Sequence, residues 1–162
     1  MYKQKSEIIE QIQSYHNQVA RLYYEIYEKV EDKEIKSLIF DLYEHEKDRE
    51  QYLKKHKKIA KAMNCWLDFP FEKLSNQISD CLKNINTESE MTMEELIKIE
   101  MHFDDCLIKL YNILASENEL SETVANVFYY MLKKTKKEKT ILAEMLFKSK
   151  NNLPYKFSVQ NF

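Results

Sequence analysis

Apolar residues recur along this chain at spacings of three and four, the period that gathers them on one face of an α-helix. From Ser6 to Glu31 the stripe is Ile8, Ile12, Tyr15, Val19, Leu22, Tyr23, Ile26 and Val30, with Ser6 as a candidate N-cap. A short break, Glu31-Asp32-Lys33, precedes a second periodic run from about Lys33 to Met63. So brief a link folds the two helices into an antiparallel hairpin, and Asp32 can cap the second. A capping box, Thr92-Met-Glu-Glu95, opens a third helix that runs to about Ser116. Its apolar positions are Leu96, Ile99, Phe103, Cys106, Leu107, Leu110, Ile113 and Leu114. Ser121 can cap a fourth helix that runs to about Phe147 through Val124, Val127, Phe128, Met131, Leu132, Ile141, Leu142 and Met145.

Between the hairpins lies a long connection, Asn64 to Met91. Asp68-Phe-Pro70-Phe can start a short helix within it, with Ile78, Cys81, Leu82 and Ile85 on one face. Trp66, Phe69 and Phe71 are expected to plug one end of the helix assembly, and Asn84 to Glu90 to form a loop. A connection this long can carry the chain from one end of a bundle to the other. The pattern therefore predicts an all-α fold. Two antiparallel helix hairpins, joined by a long crossover containing a short helix, make a four-helix bundle over residues 1–150. Residues 151–162 form an aromatic C-terminal tail that packs back on the surface or on a partner. Two short echoes support paired hairpins: Arg21-Leu-Tyr23 with Lys109-Leu-Tyr111, and Ile39-Phe40 with Val127-Phe128.

Composition agrees. The 162 residues contain no glycine and only two prolines, which disfavours a turn-rich β fold. A net charge of −2 sets up no global field toward nucleic acid or membrane, and neither is favoured as a partner. Two lysine clusters, Lys54-Lys-His-Lys-Lys58 and Lys133-Lys-Thr-Lys-Lys-Glu-Lys139, read as solvated helix faces. Without glycine there is no Walker loop and no dinucleotide fingerprint. Cys65, Cys81 and Cys106 are widely spaced, with no Cys-x-x-Cys, and read as reduced thiols with Cys106 buried. The N-terminus lacks the apolar segment of a signal peptide, and no apolar run approaches membrane-spanning length. A cytoplasmic location is expected.

The second helix breaks its own pattern. Its stripe runs Ile35, Leu38, Ile39 and Leu42, then Glu46 and Arg49, then Leu53, His56, Ile59 and Ala60. Charge occupies positions that a plain core helix would keep apolar.

The segments Ile35-Lys-Ser-Leu-Ile-Phe-Asp-Leu-Tyr-Glu-His-Glu-Lys-Asp-Arg49 and Glu94-Glu-Leu-Ile-Lys-Ile-Glu-Met-His-Phe-Asp-Asp105 resemble the rubrerythrin-like branch of the ferritin-like superfamily. The likeness covers about Glu7–Lys61 and Met93–Met145. It implies a bundle with a central di-iron site, in which two helices each give a Glu and the other two each give Glu-x-x-His. Spacing i, i+3 puts carboxylate and imidazole on one helix face, within reach of the ions.

This chain departs from that pattern. Where the first helix should offer Glu it has Gln13. The second has Glu46 and Arg49, the third has Glu100, and the fourth has Thr135 and Glu138. A test independent of register agrees: the residues three before His16, His45, His56 and His102 are Gln13, Leu42, Leu53 and Ile99, so no Glu-x-x-His exists anywhere. Arginine stays charged and cannot ligate a metal. The expected centre is a polar network of Gln13, Glu46, Arg49, Glu100, Thr135 and Glu138, with His16 nearby and Arg49 bridging carboxylates in place of the metal. If the helix is rotated from this register, Glu46 and Arg49 point to solvent instead. His45 and His102 read as surface or core-edge residues.

The resulting expectation is a non-catalytic protein that has lost its di-iron centre, needs no cofactor, and acts by binding a protein partner or as a homodimer. The alternative is a metal-binding protein, an oxidoreductase or metal-storage bundle, with Fe, Mn or Zn held by Glu46, Glu100, Glu138 and His16.

Overall fold

The computed structural model describes residues 2–62, 66–68, 71–87, 90–115 and 122–154. Its elements in order are β1 (Tyr2–Gln4), α1 (Lys5–Lys29), α2 (Lys33–Ala62), β2 (Trp66–Asp68), α3 (Phe71–Leu82), α4 (Met93–Ala115) and α5 (Glu122–Lys150). The architecture is all-helical apart from a two-stranded ribbon, in which β1 and β2 pair antiparallel with Tyr2 opposite Asp68. The ribbon is not anticipated by the periodicity, because three-residue strands are too short to show a period of two. The expected aromatic plug and the proposed cap at Ser121 fall outside the described residues or side chains, as does the tail beyond Pro154.

Named side-chain pairs give the helix directions. Along α1 and α2, Glu10 meets Lys57, His16 meets Glu46, and Tyr24 meets Tyr43, so the two run antiparallel. Along α4 and α5, Glu94 meets Lys150, Asp105 meets Lys139, and Tyr111 packs on Phe128, again antiparallel. Across the hairpins, Tyr23 and His16 of α1 reach Glu100 and Tyr111 of α4, while His45 and Tyr52 of α2 reach Glu138 and Tyr130 of α5. Each of these four neighbouring pairs is antiparallel. α2 and α4 therefore point the same way, and the chain between them returns along the length of the helices, with α3 lying in that crossover.

Local chemistry sets the ends. Asp32 Oδ1 accepts from the backbone N–H groups of Glu34 and Ile35 and caps α2. Thr92 and Glu95 close the expected capping box at the start of α4, each side chain accepting from the other's backbone N–H. Just past the end of α5, Asn152 takes φ 53° while the N–H of Leu153 donates to Lys148 O at 2.8 Å. That is a Schellman cap, and in a chain without glycine asparagine supplies the left-handed residue.

The core is aliphatic and aromatic: Ile8, Ile12, Val19 and Ile26 from α1, Leu38, Ile39 and Leu42 from α2, Leu96, Phe103 and Leu107 from α4, and Val127, Phe128 and Leu142 from α5 are all buried. Phe103 takes the edges of Tyr15 and Tyr23 across the α1–α4 contact. α4 is rotated from the periodicity reading: Ile113 is exposed, Ile99 is half-buried, and Glu100 and Asp104 take inward positions.

The cysteine expectation is corrected. Cys81 of α3 and Cys106 of α4 form a disulfide, and Cys106 is half-buried, not buried. The pairing joins residues 25 apart, on two elements whose approach no spacing rule reveals. A cross-link over a loop of that size restricts the unfolded chain by about 3 kcal/mol. No helix among the described residues is long and apolar enough to cross a membrane.

Candidate functional site

At mid-height, where a helical core is normally apolar, the four long helices bring charged and polar side chains together out of solvent. α1 supplies His16, α2 supplies His45, Glu46 and Arg49, α4 supplies Glu100 and Asp104, and α5 supplies Thr135 and Glu138; all are buried. Helical spacing selects them: Glu46 and Arg49 are i, i+3, as are Thr135 and Glu138, and Glu100 and Asp104 are i, i+4.

Arg49 is the hub. Its Nη1 donates to Glu46 Oε1 at 3.2 Å, and its Nη2 donates to Glu138 Oε2 on the facing helix. Asp104 Oδ1 lies 3.7 Å from Nη1. The guanidinium is 6% exposed, so α2 does not rotate it into solvent. His45 Nε2 donates to the same Glu138 oxygen at 2.8 Å. His16 bridges the other side: Nδ1 lies 2.5 Å from Glu46 Oε2, and Nε2 lies 3.0 Å from the Tyr111 hydroxyl. Tyr23 donates its hydroxyl to Glu100 Oε2.

The carboxyl groups split into two classes. Burial pushes Glu138 up, but the Arg49 guanidinium and His45 outweigh it and hold Glu138 at about 2. Burial also opposes ionisation of Glu46, and His16 and Arg49 overcome it, so Glu46 falls below the ordinary range. Glu100 and Asp104 move the other way: burial, then repulsion by Glu138, raises both well above ordinary values. Burial and the acidic neighbours thus favour the protonated form of Glu100. His16 is lowered by burial and stays neutral, with its proton on the nitrogen that faces the Glu46 carboxylate. Arg49 is raised well above its ordinary value, because the four acidic groups around it outweigh its own desolvation. Fixed positive charge thus stabilises two ionised carboxylates and leaves two neutral acids beside them.

Asp104 is the least satisfied member. Both of its oxygens are buried without a hydrogen bond. Together with Glu100 and Glu138 it offers ligand atoms that all lie within 4.8 Å of one another, which suits one hard cation. These three form the metal-type group among the described residues.

Of the residues expected at the centre, Glu46, Arg49, Glu100 and Glu138 meet there. Thr135 is buried beside them, but its hydroxyl donates to Met131 O in its own helix at 2.8 Å. Gln13 is half-buried and makes no hydrogen bond with the cluster; His16, almost one turn on, takes the place expected of it. His45 is a correction: it is buried and bonded to Glu138, not a surface or core-edge residue. Asp104, Tyr23 and Tyr111 were not anticipated. Asp104 follows Glu100 by four and His45 precedes Arg49 by four, so helical spacing from the recognised residues was the available signal.

The side chains of the cluster are buried, with His45 and Arg49 the most exposed at 8% and 6%. A surface cleft of about 270 Å³ opens elsewhere, lined by Asn84, Ile85, Met91, Ile99 and His102. Comparison of the chain with protein-family models, with curated proteins and with solved structures gives no match.

Proposed function

We propose that this chain is a ferritin-like bundle of rubrerythrin type whose di-iron centre has been replaced by a fixed cation, and that it acts by binding or self-association without catalysis. The observation that carries this reading is Arg49: its buried guanidinium bridges Glu46 of α2 and Glu138 of α5. It occupies the position from which a Glu-x-x-His helix would present its imidazole. An arginine there supplies the positive charge that ionised carboxylates need, cannot exchange with solvent ions, and repels a second cation. The antiparallel helix pairs and long crossover suit the same architecture. The burial of the cluster's side chains also weighs against turnover of a substrate there. A homodimer or a protein partner would use a helix face, where Tyr24, Phe40, Tyr129 and Phe147 are exposed.

A second reading rests on the orphaned Asp104 carboxyl. One divalent ion of Mn, Fe or Zn type, held by Glu100, Asp104 and Glu138, would satisfy it. The ligand set differs from Glu46, Glu100, Glu138 and His16, because Glu46 and His16 are bonded to each other. The group fits one ion, with Arg49 as a neighbouring cation that weakens its hold.

Elemental analysis of protein purified from iron- and manganese-supplemented medium tests both. The fixed-cation reading expects far less than one metal per chain. Stoichiometric metal that disappears in Glu100→Ala would overturn it in favour of the second.

A further inference from the structure

The surface cleft of about 270 Å³ takes no part in the buried cluster. Its apolar lining is Met91, which is buried, and Ile85 and Ile99, which are half-buried. Its polar lining is mainly acidic. Glu90 is exposed and has no ion-pair partner among the described residues. Glu95 accepts from the N–H and hydroxyl of Thr92, neutral donors that leave it charged. Lys98 also lines the cleft, and it donates to Glu94 Oε1 at 2.7 Å. The same Glu94 oxygen lies 3.8 Å from Nζ of Lys150, the last residue of α5. One carboxylate thus ties the end of α5 to a residue of the cleft. Three carboxylates, Glu90, Glu94 and Glu95, face two ammonium groups, Lys98 and Lys150, so one negative charge is left over.

The chain leaves α5 at that same end. The Schellman cap holds the N–H of Leu153 on Lys148 O and so keeps Leu153 beside the last turn. Eight residues follow Pro154 in the sequence, Tyr155-Lys-Phe-Ser-Val-Gln-Asn-Phe162: three are aromatic, one is lysine and none is acidic. Three extended residues beyond Pro154 add about 10 Å of reach.

We propose that this cleft is a docking site for the chain's own tail, with Tyr155 and Phe157 laid on Ile85, Met91 and Ile99, and Lys156 set against Glu90 or Glu95. Burial of aromatic surface on the apolar lining drives the docking. In an extended segment successive side chains point to opposite sides, so Lys156 turns toward the rim when the two rings face inward. Its ammonium group supplies the positive charge that the rim lacks, which fixes the register of the segment. Seated there, the tail fills the cleft and fastens the end of α5 to the loop that precedes α4.

The test uses the full chain. Methyl NMR reads the apolar lining, and carbodiimide coupling, which joins a lysine to a carboxylate in contact with it, reads the rim by mass spectrometry. The expected results are nuclear Overhauser contacts from the Tyr155 or Phe157 ring to the methyl groups of Ile85, Met91 and Ile99, and a coupling within one chain of Lys156 to Glu90 or Glu95. Tyr155→Ser combined with Phe157→Ser should cut that coupling about tenfold, since the buried aromatic surface is lost. The same variant should shift the three cleft methyls and leave those of the buried Ile12 and Leu142 in place. Glu90→Gln combined with Glu95→Gln, in which glutamine can still close the capping box, should abolish the coupling and keep the ring contacts. Three outcomes overturn the proposal: no ring-to-methyl contact in the full chain, a coupling indifferent to loss of both rings, or contacts that form only between chains when labelled and unlabelled protein are mixed.

Discussion

Arg49 of α2 donates to Glu138 of α5 across the middle of the helix assembly, with both side chains out of solvent. A buried ion pair of this kind adds little net stability over an apolar pair of the same shape. Removing one partner is a different matter, because the other is left as an uncompensated charge.

Arg49→Met should therefore cost about 3–5 kcal/mol at pH 7, read from urea unfolding. The cost should shrink in acid. Glu138 is held at about 2 in the folded protein against an ordinary value of 4.5. A depressed carboxyl contributes stability that is present above 4.5 and is lost as pH falls through about 2. Below that window Arg49 has less to neutralise. An equal loss at pH 7 and pH 3 would show that the pair does not carry the effect.

Asp104 should respond with the opposite sign. Burial raises it well above its ordinary value of 3.8, so the folded state keeps a proton that the unfolded chain releases. Its contribution is fully present below 3.8 and is lost as pH rises toward the folded value. Asp104→Asn removes that dependence. The variant should match the parent near pH 3 and become progressively more stable above it, with slopes differing by up to about 1.4 kcal/mol per pH unit. Parallel stability–pH curves would contradict the assignment.

Tyr23 gives Glu100 Oε2 its donor. Tyr23→Phe keeps the ring against Phe103 and removes only the hydroxyl, leaving a buried acceptor unmet. The expected loss is about 1–2 kcal/mol. Far-UV circular dichroism should be unchanged, and a change in helicity would point to a packing role instead.

Asn152 closes α5 with φ 53°. Asn152→Ala should destabilise by about 1 kcal/mol, since a Cβ crowds the following carbonyl in that region and alanine has no side-chain polar group to offset it. Glycine at the same position should be tolerated, and the comparison is made by thermal unfolding.

The apolar period by itself determined that the chain is all-helical, where the four long helices lie, and which face of each turns inward to within a flank. A 3.6-residue repeat sustained over several turns leaves no other way to bury Ile8, Ile12, Val19, Leu38, Leu42, Phe103 and Leu142 together. It also marked Glu46 and Arg49, because charge inside an apolar stripe is visible without coordinates. The missing Glu-x-x-His was equally legible, being a statement about neighbours along the chain. Only tertiary structure decided which partners those charges meet. Whether Gln13 or His16 faces Glu46 depends mainly on the height of α1 along its axis, since residues three apart share a face, and either height keeps the apolar stripe buried. Asp104 entered the cluster and Ile113 left the core through a small rotation of α4, which keeps Leu96, Phe103, Leu107 and Leu114 buried. The Cys81–Cys106 bond is further from reach, since it depends on where the crossover lays α3 against α4, and no periodicity within either helix encodes that approach. Periodicity constrains each helix about its own axis; the chemistry here lies between helices, and their relative rotation and height are settled by packing alone.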